Sequence, residues 1–128
     1  MRLLLDTHTL LWWLDGDRRL SARGRRLIAD ERTEVFVSAA SAWEIAIKAA
    51  ARRLPGALDV AADIPGCLQS QGFRPLEITV AHAQRAGGLP PLHRDPFDRM
   101  LVAQALLEGL PLLSNDAAFD AYAIQRIW

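Results

Sequence analysis

Three observations predict an α/β fold with a mostly parallel sheet. Short apolar strands alternate with helical segments along all 128 residues. The first strand, Leu3-Leu4-Leu5, is apolar at consecutive positions, which suits burial on both faces of a parallel sheet. Carboxylates fall at the ends of strands and near the starts of helices, the edge where open α/β sheets bind ligands.

The elements follow in order. Residues 2–6 form the first strand, and a short helix runs from Thr7 to Leu14 until Asp15-Gly16-Asp17 stops it. Ser21 is an N-cap for a helix over about 22–31, with Leu27 and Ile28 inward. Val35-Phe36-Val37 is β-branched and aromatic, a second strand. Ser38 to Arg53 reads as a long helix: Ser41 and Glu44 have capping-box spacing, Trp43, Ile47 and the alanines line its buried face, and Leu54-Pro55-Gly56 ends it. A helix over about 58–71 closes at Gly72, and Pro75–Ile78 is a weaker third strand. Thr79 caps a helix to about Ala86, and a loop with two prolines runs from Leu89 to Arg94. Asp95-Pro96 is a strong helix start, an Asp N-cap followed by Pro at the first helical position, and Gly109 ends that helix. Residues 110–114 give the fourth strand, Ala117–Ala121 a single helical turn, and Ala123–Trp128 the last strand.

Composition narrows the function classes. The length fits a single domain, 1–128, and 51% hydrophobic residues suffice for a sizeable core. Fifteen acidic and fifteen basic residues cancel, so the totals do not point to a nucleic-acid binder, although a zero sum can hide a polarised surface. With Lys48 the only lysine, the other fourteen cations are Arg. Arg18, Arg19, Arg23, Arg25 and Arg26 cluster, either as a solvated face or as a phosphate- or partner-contacting patch. The lone Cys67 excludes an internal disulfide and a cysteine-based zinc site. Asp6 interrupts the first apolar run, so no signal peptide is read, and no stretch is long enough to span a membrane. The expectation is a cytoplasmic protein.

The acids carry the chemistry. Asp6 ends the first strand and Asp116 follows the fourth by two residues, at one edge of a parallel sheet. Helices run antiparallel to the strands they pack on, so their N-termini gather at that edge too. This brings in Glu44, Asp95 and Asp98. Each has a plainer reading. Asp6, Asp95 and Asp116 are all good N-caps, and Glu44 is spaced to pair with Lys48 at i,i+4. Asp98 shares a helical stripe with Leu101, Val102 and Ala105, so it faces the protein. Carboxylates crowded together cannot all ionise without a countercharge. A hard divalent cation such as magnesium or manganese meets that need, and can activate water and stabilise charge on a phosphodiester. No Ser/His/Asp order, Gly-rich phosphate loop or metal-spaced His pair competes. His8, His82 and His93 are unpaired in spacing; His93 lies near Asp95, within reach of a substrate, but the plainer reading is a loop histidine without a role.

Four blocks together resemble the PIN-domain proteins, and more closely the VapC-type toxins of bacterial toxin–antitoxin pairs. They are Leu3-Leu4-Leu5-Asp6-Thr7, Ser41-Ala42-Trp43-Glu44-Ile45, the run from Asp95-Pro96-Phe97-Asp98-Arg99 to Ala105, and the run from Leu113-Ser114-Asn115-Asp116 to Phe119. The resemblance spans essentially the whole chain. It implies a PIN-like three-layer sandwich, a parallel sheet of four to five strands flanked by helices. It implies a ribonuclease dependent on Mg2+ or Mn2+, a homodimer, and a cognate antitoxin that places a segment in the acidic groove. The family's acidic quartet falls on Asp6, Glu44, Asp98 and Asp116, with Asp6 and Asp98 at the usual metal-ligand positions. Asp95 belongs to the Asp-Pro-Phe-Asp variant as an auxiliary acid, and Ser114 stands where the family often has Thr, keeping the hydroxyl. Exposed aromatics among Trp12, Trp13 and Trp43 are candidates for antitoxin docking, and Arg94 or Arg99 for holding RNA phosphates.

Two other readings remain. One is a PIN-fold binding module acting mainly through its antitoxin in operator autoregulation, which would not need the intact acidic set. The other is a receiver-like phospho-acceptor domain, which would want a lysine near the acids after a late strand. Lys48 lies mid-helix instead.

Overall fold

Strand β1 (Arg2–Leu5) is the middle of a five-stranded sheet with order β3-β2-β1-β4-β5, all parallel. The computed structural model describes residues 1–52 and 58–128. The other strands are β2 (Glu34–Ser38), β3 (Arg74–Leu76), β4 (Leu112–Leu113) and β5 (Arg126–Ile127). The three leucines of β1 have no exposed surface, and successive side chains face opposite sides. Leu3 and Leu5 join one core with Leu10, Ile28, Val35, Val37 and Ile45. Leu4 joins a second with Leu101, Val102, Leu112 and Phe119. Burying each leucine contributes about 1.5–3 kcal/mol, so this short strand anchors both layers.

The first layer holds α1 (Thr7–Asp15), α2 (Ala22–Ala29), α3 (Ala39–Ala50) and α5 (Ile64–Gln71), and the second holds α6 (Val80–Gly88) and α7 (Pro96–Glu108). The caps explain the boundaries. Ser21, Thr79 and Asp95 accept backbone N–H bonds at their helix starts as the sequence predicts. Gly16, Gly72 and Gly109 adopt the left-handed conformation that ends a helix.

Three expectations need correction. The 58–71 segment is two helices, α4 (Leu58–Ala62) and α5, because the Asp63 side chain caps Gly66 and starts a new helix. The cap of α3 is Ser38, whose hydroxyl accepts from Ala40 N–H, so Ser41 lies inside the helix and makes no capping box with Glu44. The buried face of α3 is also different: Ala40, Ser41, Glu44, Ile45 and Ala49 face inward, while Trp43 is 62% and Ile47 44% exposed. Ser41 faces inward because its hydroxyl accepts a bond of 2.9 Å from Thr7 on α1. The expected continuation to Arg53 and the stop at Leu54-Pro55-Gly56 lie outside the described residues.

Because β2 leaves β1 on one side and β4 joins it on the other, the chain's winding changes direction between β1 and β4. Open α/β sheets form their ligand crevice at such a switch point, beyond the strands' carboxyl ends.

Candidate active site

Asp6 stands at that switch point. It is the N-cap of α1, and Thr9 N–H donates to its Oδ1 at 2.7 Å. Ser114, just beyond β4, donates its hydroxyl to Asp6 Oδ2 at 2.5 Å and accepts Asp116 N–H at 3.0 Å. The capping and clustering readings of Asp6 are therefore both true. A cleft of about 690 Å³ opens over it, lined among others by Glu44, Asp95, Asp98 and Asp116. All five acids singled out in the sequence reach one place.

Each arrives by a different route. Glu44 projects from the inward face of α3, and Lys48 Nζ donates to its Oε2 at 2.5 Å. The i,i+4 pair exists, yet its carboxylate is nearly fully buried and lines the cleft. Asp95 caps α7, accepting from Phe97 N–H at 2.8 Å and Asp98 N–H at 3.3 Å. Asp98 sits in the first turn of α7, and Asp116 caps the single turn Ala117–Ala121 through Ala118 N–H. The N-terminus of α7 places partial positive charge at the same edge.

The electrostatic result is concentrated on Asp98. Burial pushes its pKa up to about 7, and the negative charges of Asp95, Glu44, Asp6 and Asp116 push in the same direction. Four acids acting on a fifth is the physical signature of a site lacking countercharge. Lys48 and Arg19 also line the cleft, but Lys48 is bonded to Glu44, and Arg19 is paired with Asp17 at 2.7 Å and lies over the Trp12 ring.

His93 is the residue the sequence reading missed. Its Nε2 lies 3.0 Å from Asp98 Oδ2 and 3.9 Å from Asp116 Oδ2. The atom is enclosed, yet its N–H is not squarely aligned on either oxygen. His93, Asp98 and Asp116 each offer one donor atom, and these lie within 4.8 Å of one another. An enclosed nitrogen without an aligned partner, beside crowded hard oxygens, fits a divalent cation and the ligands around it. Asp6 is not in this trio, and both its oxygens already accept hydrogen bonds. The available signal was position: His93 precedes Asp95 by two residues in the loop that leads into α7.

The remaining candidates separate. Arg99 is not free for phosphate. Its guanidinium donates to the carbonyls of Ala86, Leu89, Pro90 and His93, tying the loop to α7. Arg94 is exposed beside His93. Trp43 is exposed and meets Phe97 edge-on, whereas Trp12 and Trp13 are half-buried against the first core. His8 lines the cleft mouth, and His82 is a buried capping residue of α6 that also meets Glu108 at 2.8 Å.

A five-stranded parallel sheet with five carboxylates gathered in the crevice at its switch point defines the class, an α/β protein with an acidic site. Within that class the chain belongs to the PIN domain family, which it matches over residues 3–125. It is 38% identical over 68 residues to Ribonuclease VapC16 of Mycobacterium tuberculosis (strain ATCC 25618 / H37Rv), an alignment covering 52% of this chain and 48% of that protein. The match thus spans about half the length of this curated relative. In fold it is similar to VapBC2 from Rickettsia felis, solved bound to a DNA fragment from their promoter, with TM-score 0.74, 12% identity and coverage of 100% of this chain and 99% of that one. It is likewise similar to a toxin-antitoxin complex from Klebsiella pneumoniae, with TM-score 0.69, 18% identity and coverage of 98% and 96%. No helix among the described residues is long and apolar enough to cross a membrane.

Proposed function

We propose that this protein is a cytoplasmic endoribonuclease, dependent on Mg2+ or Mn2+, and the toxin of a toxin–antitoxin pair. The observation that carries the reading is the convergence of Asp6, Glu44, Asp95, Asp98 and Asp116 on one cleft, where burial and the other four acids raise the pKa of Asp98. Membership of the PIN family and the likeness to a ribonuclease support it.

Bound here, a divalent ion supplies the countercharge, activates water and stabilises charge on the scissile phosphate. Asp98 and Asp116 would hold it, with Asp6, the other metal ligand that the resemblance implies, beside them and fixed by Thr9 and Ser114. Glu44, tethered by Lys48, closes the α3 side of the site. Asp95 keeps the first turn of α7, and so Asp98, in register with the cleft. Of the arginines singled out for RNA phosphates, Arg99 is bonded to backbone carbonyls, which leaves Arg94 on the exposed loop.

The partners follow from the surroundings of the site. The Klebsiella pneumoniae neighbour was solved as a toxin-antitoxin complex, and an antitoxin arginine entering this cleft would neutralise the acids as an ion does. Of the three candidate aromatics Trp43 is the exposed one and Trp12 the one that lines the cleft, and a homodimer is the assembly proposed.

Purified protein incubated with structured RNA and Mg2+ tests the reading. Cleavage should stop on adding EDTA and fall at least 100-fold in Asp98→Asn and Asp116→Asn. Cleavage that persists under EDTA and in both variants would sink the metal-nuclease reading. No cleavage by the unaltered protein, with intact antitoxin-dependent operator binding, would favour a binding module instead.

A further inference from the structure

His93 has two conceivable roles at an ion site: ligand through a bare Nε2, or N–H donor. The backbone decides between them. Asp95 N–H donates to His93 Nδ1 at 3.2 Å, and an amide nitrogen can only donate. Nδ1 must therefore carry the lone pair. In the neutral ring that leaves the proton on Nε2, the atom turned toward Asp98 and Asp116. To ligate an ion through Nε2, the ring would have to move its proton to Nδ1, against the Asp95 N–H.

The ring has little freedom to escape this choice. His93 N–H donates to the Tyr122 hydroxyl at 3.0 Å, and that hydroxyl donates to Pro90 O at 3.0 Å. His93 O accepts from Arg99 at 3.3 Å, and the imidazole packs against Phe119 with 5.8 Å between ring centres. The backbone of the residue is thus clamped on both sides, and the Asp95 N–H bond to Nδ1 orients the ring.

We propose that His93 is a positioning residue whose Nε2–H, 3.0 Å from Asp98 Oδ2, orients that carboxylate for the ion without itself ligating it. This rests on the ion-dependent reading above and adds a residue to it. Asp116 Oδ2, at 3.9 Å, is beyond hydrogen-bond reach of the same nitrogen. Partners that orient metal ligands typically change metal affinity by about 10–100-fold when removed.

The test reads ion binding and proton position rather than RNA cleavage. Nitrogen-15 NMR of the imidazoles in the ion-free protein, assigned by comparison with His93→Gln, should show the Nε2–H tautomer for His93. Electron spin-echo spectra of the Mn2+-loaded protein should show no directly coordinated histidine nitrogen. Calorimetry should give Mn2+ binding about tenfold weaker in His93→Ala, and restored to within about threefold by His93→Gln, whose amide keeps an N–H there. Thermal unfolding confirms that both variants fold. An Nδ1–H tautomer, a coordinated nitrogen signal lost in His93→Gln, or unchanged affinity in His93→Ala would each overturn the proposal. Failure of the unaltered protein to bind Mn2+ would overturn the ion-dependent reading and this proposal with it, an outcome distinct from the other three.

Discussion

At the scale of single residues, the site is a balance between acids that the fold tolerates differently. Asp6 and Asp95 are satisfied by backbone N–H groups, whereas Asp98 is raised to about 7, chiefly by burial. The sign of the pH effect follows. Unfolded, Asp98 loses its proton near the ordinary value of 3.8; folded, it keeps it until about 7. Between those values the native state binds more protons, so this group's contribution to stability declines as pH rises from about 4 through 7. Denaturant titrations of the ion-free protein across that range should show the decline, and Asp98→Asn should flatten it. In EDTA at pH 8, Asp98→Asn should raise the melting temperature by roughly 4 °C, as about 1 kcal/mol does in a domain of this size. Divalent-ion binding should strengthen from pH 6 to pH 8 and release a proton, measurable by calorimetry in buffers of different ionisation enthalpy.

At the scale of elements, the loop and the helix it feeds behave as one unit, because Arg99 on α7 holds four carbonyls of residues 86–93. Arg99→Ala should cost about 1–3 kcal/mol, speed amide exchange through residues 89–95, and leave the salt dependence of RNA binding unchanged. Sequence reading offers Arg99, beside Arg94, as a candidate for RNA phosphates because it shows side-chain type and not the carbonyls of a preceding loop. It read α7 well, since Asp95, Pro96 and Gly109 are strong local signals. It misread the face of α3. Trp43 and Ile47 were placed inward on hydrophobicity, but the helix turns Ser41 to Thr7 and Glu44 to the cleft. Burial of polar side chains for a site inverts the rule that apolar periodicity relies on. His93 was illegible for a related reason: its partners come from Asp95, Tyr122 and α7, brought together only by the fold. Ser38→Ala offers a check on the cap of α3, with an expected loss of about 1 kcal/mol in chemical denaturation.

At the scale of the whole molecule, the strand order puts β1 between two oppositely wound halves, and acids from both halves meet only in the folded chain. An ion held among them would favour the native state alone. Adding Mg2+ at about 100 times its dissociation constant should stabilise the protein by about 2.7 kcal/mol, seen as a melting shift reversed by EDTA. The central strand was the most legible part of the fold, because three consecutive buried leucines need apolar neighbours on both faces.

The hydrogen bonds at Asp6 bear on how such a chain would change over generations. Asp6 closes the first helix and fastens residues 6 and 114 across the sheet, so it remains useful to a descendant with no catalysis. Asp98 has no such second occupation, and its burial burdens the ion-free fold. Relaxed selection would therefore erode Asp98 first and leave Asp6 standing. Among sequences of this kind, a surviving aspartate after the leucines reports a fold, and the aspartate in the first turn of α7 reports whether its chemistry is still in use.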